Sequence, residues 1–376
     1  MRTDELDYHL PDELVATRPA DPRDSARLLV ISRSDPDRLE HRTVRDLPDL
    51  LAPGDLAVFN RSRVVHARFL GHRTDTMGRV EGLFLREPEP GVWVAMLKAR
   101  RFRPGTRLAL RAAASPATSP ADFPPTSGYE LELLERADEP GAWLLRVHPA
   151  DAPNSLEVLD RVGLPPLPPY IRAARARAGD PASQLDDPRW YQTVYASEPG
   201  SVAAPTAGLH FTPELLDALT DRGVARAEVT LHVGTGTFKP VETDILEDHP
   251  MHTEWCSIPR ATLEAIRARR AGGSGCVLAI GTTSARTLEG FAQLEARHPG
   301  EPLPDHLETD ILISPGYAWR WTDALLTNFH LPRSTLLAMV AALLPEGIER
   351  LLEVYRVAVA ERYRFYSFGD AMLVLP

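Results

Sequence analysis

The stretch Cys276-Val277-Leu278-Ala279-Ile280-Gly281-Thr282-Thr283-Ser284-Ala285-Arg286-Thr287 decides the fold. Cys276 to Ile280 is an unbroken apolar run of strand length, which a chain buries on both faces. A glycine ends the run, and small hydroxyl residues open a helix. A strand that turns tightly into a helix is the repeating unit of an α/β protein.

Working outward, the same texture recurs. Thr212-Pro213-Glu214 carries an N-cap, a proline at the first helical position and an acid in the first turn, so a short helix runs from there to near Gly223. Ala225 to Val233 alternates, with Val229, Leu231 and Val233 on one side and Thr230 and His232 on the other. Thr309 to Ile313 reads as a further strand. Ser334 caps a helix that places Leu336, Leu337, Val340 and Leu344 on one face, and a second helix follows from about Glu349 to Arg362. Upstream, Leu28 to Ile31 reads as a buried strand, and the turn Pro53-Gly54-Asp55 leads into Leu56-Ala57-Val58-Phe59. Strands alternating with helices predict a sheet covered on both faces.

From about Arg68 to His148 the texture changes. Val80 to Leu85, Val92 to Leu97, Tyr129 to Leu134 and Ala142 to Val147 are short β-rich runs between Gly, Pro and Asp turns, as in a small antiparallel barrel or sandwich. Ala112 to Gly128, rich in Ala, Ser, Pro and Thr, reads as a loop within that unit. Gly163 to Ile171 reads as an extended, polyproline-like linker, and Arg172 to Arg189 as polar loop.

At 376 residues the chain is long enough for one large or two moderate domains. Lysine and arginine total 42 against 52 aspartates and glutamates, a net charge of −10 that excludes coating nucleic acid by bulk charge. Only two of the 42 basic residues, Lys98 and Lys239, are lysines. An arginine-rich chain suits phosphate recognition, but a GC-rich genome produces the same bias together with the 35 prolines. Two cysteines, Cys256 and Cys276, are too few for a disulfide framework or a cysteine-rich zinc site. With no apolar signal core and no run of about 20 apolar residues, a cytoplasmic location is expected.

Polar, small and aromatic residues crowd four segments at strand or helix ends. They are Ser201 to Phe211 (with Thr206, Gly208 and His210), His232 to Phe238 (with Gly234, Gly236 and Thr237), Gly281 to Thr287 (with Thr282, Thr283, Ser284 and Arg286) and Thr327 to Ser334 (with Asn328, His330 and Arg333). Three of them open a helix, where free N–H groups favour a carboxylate or phosphate. None carries a phosphate-loop or dinucleotide fingerprint. His249, His252 and Glu254 lack the spacing of a metal site, so no metal is expected. Lys98-Ala99-Arg100-Arg101-Phe102-Arg103 gathers cations around an aromatic ring, either as a solvated face or as an RNA-backbone site, and Arg172, Arg175 and Arg177 could extend it.

Tyr191 to Ala196, Ser201 to Phe211, Leu231 to Val241, Thr327 to Leu337, Pro165 to Ile171 and Tyr363 to Leu373 together closely resemble the S-adenosylmethionine:tRNA ribosyltransferase-isomerase family of queuosine biosynthesis. The likeness runs from Leu10 to Leu373. It implies a discontinuous three-layer α/β catalytic domain, residues 1–67 and 150–376, with an antiparallel β-barrel inserted at 68–149. It implies transfer and isomerisation of the ribosyl part of S-adenosylmethionine onto 7-aminomethyl-7-deazaguanine (preQ1) at the tRNA wobble position, giving epoxyqueuosine, adenine and methionine. S-adenosylmethionine is then a consumed co-substrate, no true cofactor is needed, and a monomer without an obligate protein partner or a membrane is expected.

For that chemistry the candidate base or acid is His232, His210, His252, Glu254 or Asp370, with His232 favoured. Arg286 with Thr282 to Ser284 suits the methionine carboxylate, and Asn328 with His330 suits ribose hydroxyls or a base edge. Thr206, Gly208, Gly234, Gly236, Thr237 and Arg333 complete the expected substrate-binding set, and Lys98, Arg100, Arg101 and Arg103 the tRNA-binding set. The sequence departs from the family pattern at Arg61, where an acid is usual, and at His66, where a proline is usual. A non-catalytic RNA-binding protein would instead show degraded strand-end motifs. A metal hydrolase would have to rely on His249 and His252.

Overall fold

The computed structural model describes every residue except 36–37, 99–101, 114–125, 153, 180–185, 235–240 and 273. The chain forms two compact units, Met1–Arg63 with Pro168–Pro376, and Val64–Leu167.

The larger unit is built on a nine-stranded sheet. Its order is His306–Thr309, Glu254–Ser257, Ala225–Leu231, Leu56–Asn60, Val277–Ile280, Ala324–Asn328, Ala371–Leu375, Arg27–Ser32 and Leu39–Thr43. Alternate residues of the apolar runs enter two separate cores. Leu56, Val58, Val229, Leu231, Val277, Ala279 and Leu325 face one core, and Ala57, Phe59, Leu278, Ile280, Ala324 and Leu326 the other. Period-2 side-chain alternation therefore explains why unbroken apolar strands need cover on both faces. Thr282–Arg297, Thr335–Leu343 and Gly347–Ala360 pack into the first core and Pro213–Asp221 into the second.

Strand direction positions the site. Ala225–Leu231, Leu56–Asn60, Val277–Ile280 and Ala324–Asn328 run parallel, so their carboxyl ends share one edge of the sheet. Ala371–Leu375 runs against Ala324–Asn328 with Asn328 opposite Ala371, which brings the preceding Asp370 to that same edge. Asn60 ties the edge together. Its Nδ2 donates to the Leu231 carbonyl (3.0 Å) and to Thr283 Oγ1 (3.1 Å), while its Oδ1 accepts from the Ser62 and Leu231 amides (both 3.1 Å).

The smaller unit is a closed six-stranded antiparallel barrel: Arg68–Arg73, Arg79–Glu89, Val92–Lys98, Ala142–His148, Thr126–Arg136 and Arg107–Arg111, which pairs back onto the first strand. Phe69, Trp93, Leu131 and Leu145 are fully buried inside the unit. The unit reaches past residue 149. Gly163–Leu164 pairs with Phe69 and Arg68, and the Trp93 indole donates to Ser155 Oγ (2.6 Å) at the head of the helix Ser155–Val162.

Three expectations are corrected. Within the stretch read as extended linker and polar loop, Pro169–Ala178 is a helix and Asp187–Trp190 is a second, short one, while residues 180–185 lie outside the described ones. Proline fits the first helical turn, where an N–H has no intrahelical partner, and Gly179 ends the longer helix in the left-handed region (φ +65°). The strand expected at 309–313 is His306–Thr309. The Ile311 amide donates to Thr309 Oγ1 (3.3 Å), turning the chain off the ladder. The strand Thr126–Arg136 begins inside the segment read as loop, whose residues 114–125 lie outside the described ones.

Candidate active site

A cleft with both polar and apolar walls opens at the carboxyl edge of the parallel strands. Its walls come from Pro205 to Ala207, Gly281 to Thr283, Thr327 to Leu331, Val233 and Leu336, with Tyr170, Tyr366 and Ser367 from outside the sheet. The site therefore occupies the place where open α/β sheets bind ligands. The N-cap of the Thr282–Arg297 helix is Gly281, which supplies no capping oxygen, and Thr282 and Thr283 both face the cleft. Sixteen residues of aligned peptide dipoles thus end, uncapped by any side chain, at the cleft wall.

The histidines are held neutral. Burial pushes the His210 imidazole down to about 4, against an opposing upward pull from Asp370. Burial pushes His330 down to about 3, and its Nε2 shares a hydrogen bond with Thr327 Oγ1 (2.8 Å). The Asn328 side chain lies beside His210 and donates to the Tyr366 carbonyl (3.0 Å). His210 Nε2 and Asn328 Oδ1 are both buried and make no hydrogen bond among the described residues. Tyr170 and Ser367 hydroxyls bond at 2.5 Å, and the Tyr170 and Tyr366 rings lie 4.8 Å apart.

His232 stands one residue before the cleft-lining Val233. Its ring is stacked on Trp255 at 5.1 Å and 15°, and Trp255 is stacked in turn on His306. The ring also lies against Gly200, where a Cβ would come within 2.8 to 3.0 Å of three ring atoms. Burial lowers its pKa, and its Nδ1 makes no hydrogen bond among the described residues. Ser201 couples the two segments: its Oγ accepts from the Val233 amide (3.0 Å) and donates to the Ala203 carbonyl (2.6 Å).

The cleft brings together Thr206, Thr282, Thr283, Asn328 and His330 of the expected set. Gly208 and Ser284 sit behind it. Gly208 packs against the Tyr195 hydroxyl, and Ser284 Oγ donates to the Ile280 carbonyl (2.8 Å).

Arg286 and Glu254 are not free groups, contrary to their expected roles as carboxylate binder and base. They form a buried ion pair through Nη1 and Oε2, and Glu254 Oε1 accepts from the Gly234 amide (3.2 Å). Arg286 Nε and Nη2 make no hydrogen bond among the described residues. Asp370, expected to be free for proton transfer, is instead bound by the Arg364 amide (2.8 Å), the Arg364 guanidinium (3.0 Å) and the Arg27 amide (3.2 Å). Arg333 is exposed, with φ +54°. His252 lies near His249, whose pKa is lowered by burial and by that neighbour. Among the described residues no group of three or more His, Cys, Asp or Glu could hold a metal ion.

Gly236, Thr237, Arg100 and Arg101 lie outside the described residues. Lys98 and Arg103 are exposed on the barrel unit, where Phe102 meets Trp143 edge-on at 6.2 Å. Arg175 does not extend a cationic surface. It is 6% exposed and bidentate on Asp187 (2.8 and 2.7 Å), while Arg177 pairs with Asp12 (2.6 Å). Arg61 lies between Glu198 (3.3 Å) and Glu228 (3.8 Å), so the cation at this departure from the family pattern is compensated locally. Local sequence gives no signal for Asn60, Tyr170, Tyr366 and Ser367. Tyr170 sits in a proline-rich run and Tyr366 in the last turn before the final strand, positions whose shared wall only folding creates.

A partly polar, partly aromatic cleft at the carboxyl ends of the parallel strands of a mixed sheet, beside an uncapped helix start and buried histidines, is the architecture of an α/β enzyme acting on a small substrate. Residues 3–374 match the family described as queuosine biosynthesis protein, and the chain belongs to that family. It is similar to the S-adenosylmethionine:tRNA ribosyltransferase-isomerase of Thermus thermophilus, 49% identical over 370 residues and 98% of each chain. The protein of that name from Gloeobacter violaceus is 47% identical, over 100% of this chain and 96% of its own. A crystal structure of S-adenosylmethionine tRNA ribosyltransferase from Thermotoga maritima is 32% identical, with a TM-score of 0.50, covering 99% of this chain and 100% of that one.

Proposed function

We propose that this protein transfers and isomerises the ribosyl part of S-adenosylmethionine onto 7-aminomethyl-7-deazaguanine at the wobble position of tRNA. Adenine and methionine are released, and the tRNA carries epoxyqueuosine. The observation that carries the reading is the meeting, in one cleft, of an uncapped helix start, hydroxyl and amide groups and a pair of tyrosine rings. The N–H groups at Thr282 and Thr283 suit the methionine carboxylate. Thr206 and Asn328 suit ribose hydroxyls, and the faces of Tyr170 and Tyr366 suit a sulfonium cation.

The sulfonium acidifies the ribose 5′ carbon, so a neutral, oriented base can remove a proton there. His232 fits this role better than His210. Its ring is held between Trp255 and Gly200 and is only partly buried, so burial lowers its basicity while leaving the imidazole within reach of a substrate, whereas His210 is buried and held at about 4. His210 with Asn328 then serves as a hydrogen-bonding pair for the substrate. The aminomethyl nitrogen of the tRNA base is the nucleophile, the sulfonium leaves as the thioether of methionine, and adenine departs with a proton. The substrate brings its own activating charge, and no cofactor has a role in this scheme. We place the protein in the cytoplasm as a monomer. No helix among the described residues is long and apolar enough to cross a membrane.

The test is incubation with S-adenosylmethionine and a tRNA bearing 7-aminomethyl-7-deazaguanine, with adenine measured by chromatography. Adenine is expected only when both are present. Its absence refutes the reading, and a wild-type rate of adenine release in His232→Ala refutes the assigned base.

A further inference from the structure

A second concavity of the larger unit is built differently from the cleft. It is a groove of about 750 Å³, far more than a single phosphate ion fills, and four arginines (Arg18, Arg23, Arg189 and Arg364) reach it. Asp21 and Glu214 are the acids among its lining residues, and Arg364 and Arg189 have carboxylate partners just outside it in Asp370 and Asp186, so the groove offers forked donors without a large net charge. Two of the guanidiniums are held in place. Arg23 donates to the Gln192 carbonyl (2.7 Å) and to the Arg189 carbonyl, and Arg364 is fixed on Asp370 (3.0 Å). The other two are available. Arg18 is exposed, and Arg189, itself 75% exposed, meets an exposed Asp186 at 3.6 Å among the described residues, a contact of little strength.

The same groove presents apolar surface. Trp190 is half-buried beside Val194, which at 45% exposure is one of the most exposed large apolar side chains described. The Thr212-capped start of the Pro213–Asp221 helix closes one end. Forked cations beside an indole and an apolar patch match a polyanion that also carries flat rings, as a single-stranded stretch of RNA does. The groove also lies next to the reactive region. Arg23 and Arg364 both act electrostatically on His210, and Thr212 follows His210 by two residues.

We infer that this groove holds the phosphodiester backbone of the tRNA next to the reacting nucleotide, with Trp190 beneath an unstacked base. The inference rests on the proposed function and adds a binding surface independent of the Lys98 to Arg103 cluster.

The test measures the affinity of wild type, Arg18→Gln/Arg189→Gln and Trp190→Leu for a tRNA bearing 7-aminomethyl-7-deazaguanine, over a range of salt concentration. Arg260→Gln, exposed on another helix, is the control. The double variant is expected to bind about tenfold more weakly, with the slope of log affinity against log salt smaller by roughly 1.4, the loss of two single-strand phosphate contacts. Trp190→Leu is expected to weaken binding about tenfold with the slope unchanged. All three variants change side chains at least half-exposed or on the groove wall, and a thermal melt identifies any that unfolds. Wild type that binds no such tRNA and releases no adenine overturns the proposed function itself. Wild type that does both, with a double variant of unchanged affinity or unchanged salt slope, overturns the groove alone.

Discussion

Replacing Glu254 by Gln tests whether the buried pair behind the cleft acts as the geometry implies. The carboxylate and the Arg286 guanidinium are both nearly out of solvent, with side-chain exposures of 2% and 5%. Glutamine keeps the shape and an oxygen for the Gly234 amide but leaves the guanidinium without a counter-charge. Breaking a buried pair in this way costs about 3–5 kcal/mol. A unit of this size loses roughly 2 °C of Tm per kcal/mol, so the melt should fall by about 6–10 °C. Removing both charges with Glu254→Leu/Arg286→Met should restore most of that loss. The remainder is the orphaned Gly234 amide, which loses its 3.2 Å acceptor at a cost of about 1–3 kcal/mol. Calorimetric melts of wild type, Glu254→Leu, Arg286→Met and the double variant complete the cycle, with Glu254→Gln measured beside them. The reasoning is refuted if Glu254→Gln melts within about 1 °C of wild type, or if the double variant is less stable than the worse single one.

Acid should weaken the fold in a defined window. His210 at about 4 and His330 at about 3 lie below the usual histidine value near 6.5, so the unfolded chain takes up protons that the folded one refuses. Their contribution is complete above about pH 6.5 and is lost as pH falls toward 4, at about 1.4 kcal/mol per pH unit for each group. Urea midpoints at pH 7, 6 and 5 should fall accordingly, and His330→Gln should flatten the fall. A midpoint equally flat in wild type and variant contradicts the assignment. Gly200→Ala should displace the His232 ring, since φ is +147° and the new methyl meets the imidazole at 2.8 Å. A stability loss of about 1–3 kcal/mol is expected, with altered Trp255 fluorescence and slower adenine release. Wild-type fluorescence and rate in Gly200→Ala would show that the contact does not hold the ring.

Much of the architecture was legible locally. The apolar run ending at Gly281, the Thr212 and Ser334 caps and the change of texture near Arg68 each depend on neighbours a few residues apart. The α/β sheet, the inserted barrel and the crowding of Thr206, Thr282, Thr283, Asn328 and His330 at strand ends followed from them. The helix at Pro169–Ala178 was hidden because its prolines read as extended chain, although only its first turn has to accept them.

Charge partners were not legible at all. Glu254, Asp370 and Arg175 look like free functional groups in sequence, but Arg286, Arg364 and Asp187 neutralise them in the fold. Those partners lie 32, 6 and 12 residues away. Local pattern thus determined the elements, the edge of the sheet where ligands bind and the family to which the chain belongs. Tertiary structure alone decided which polar groups at that edge remain available. Whether a buried carboxylate is a base or half of an ion pair depends on what the packing of distant segments places within about 3 Å of it, where desolvation makes pairing obligatory.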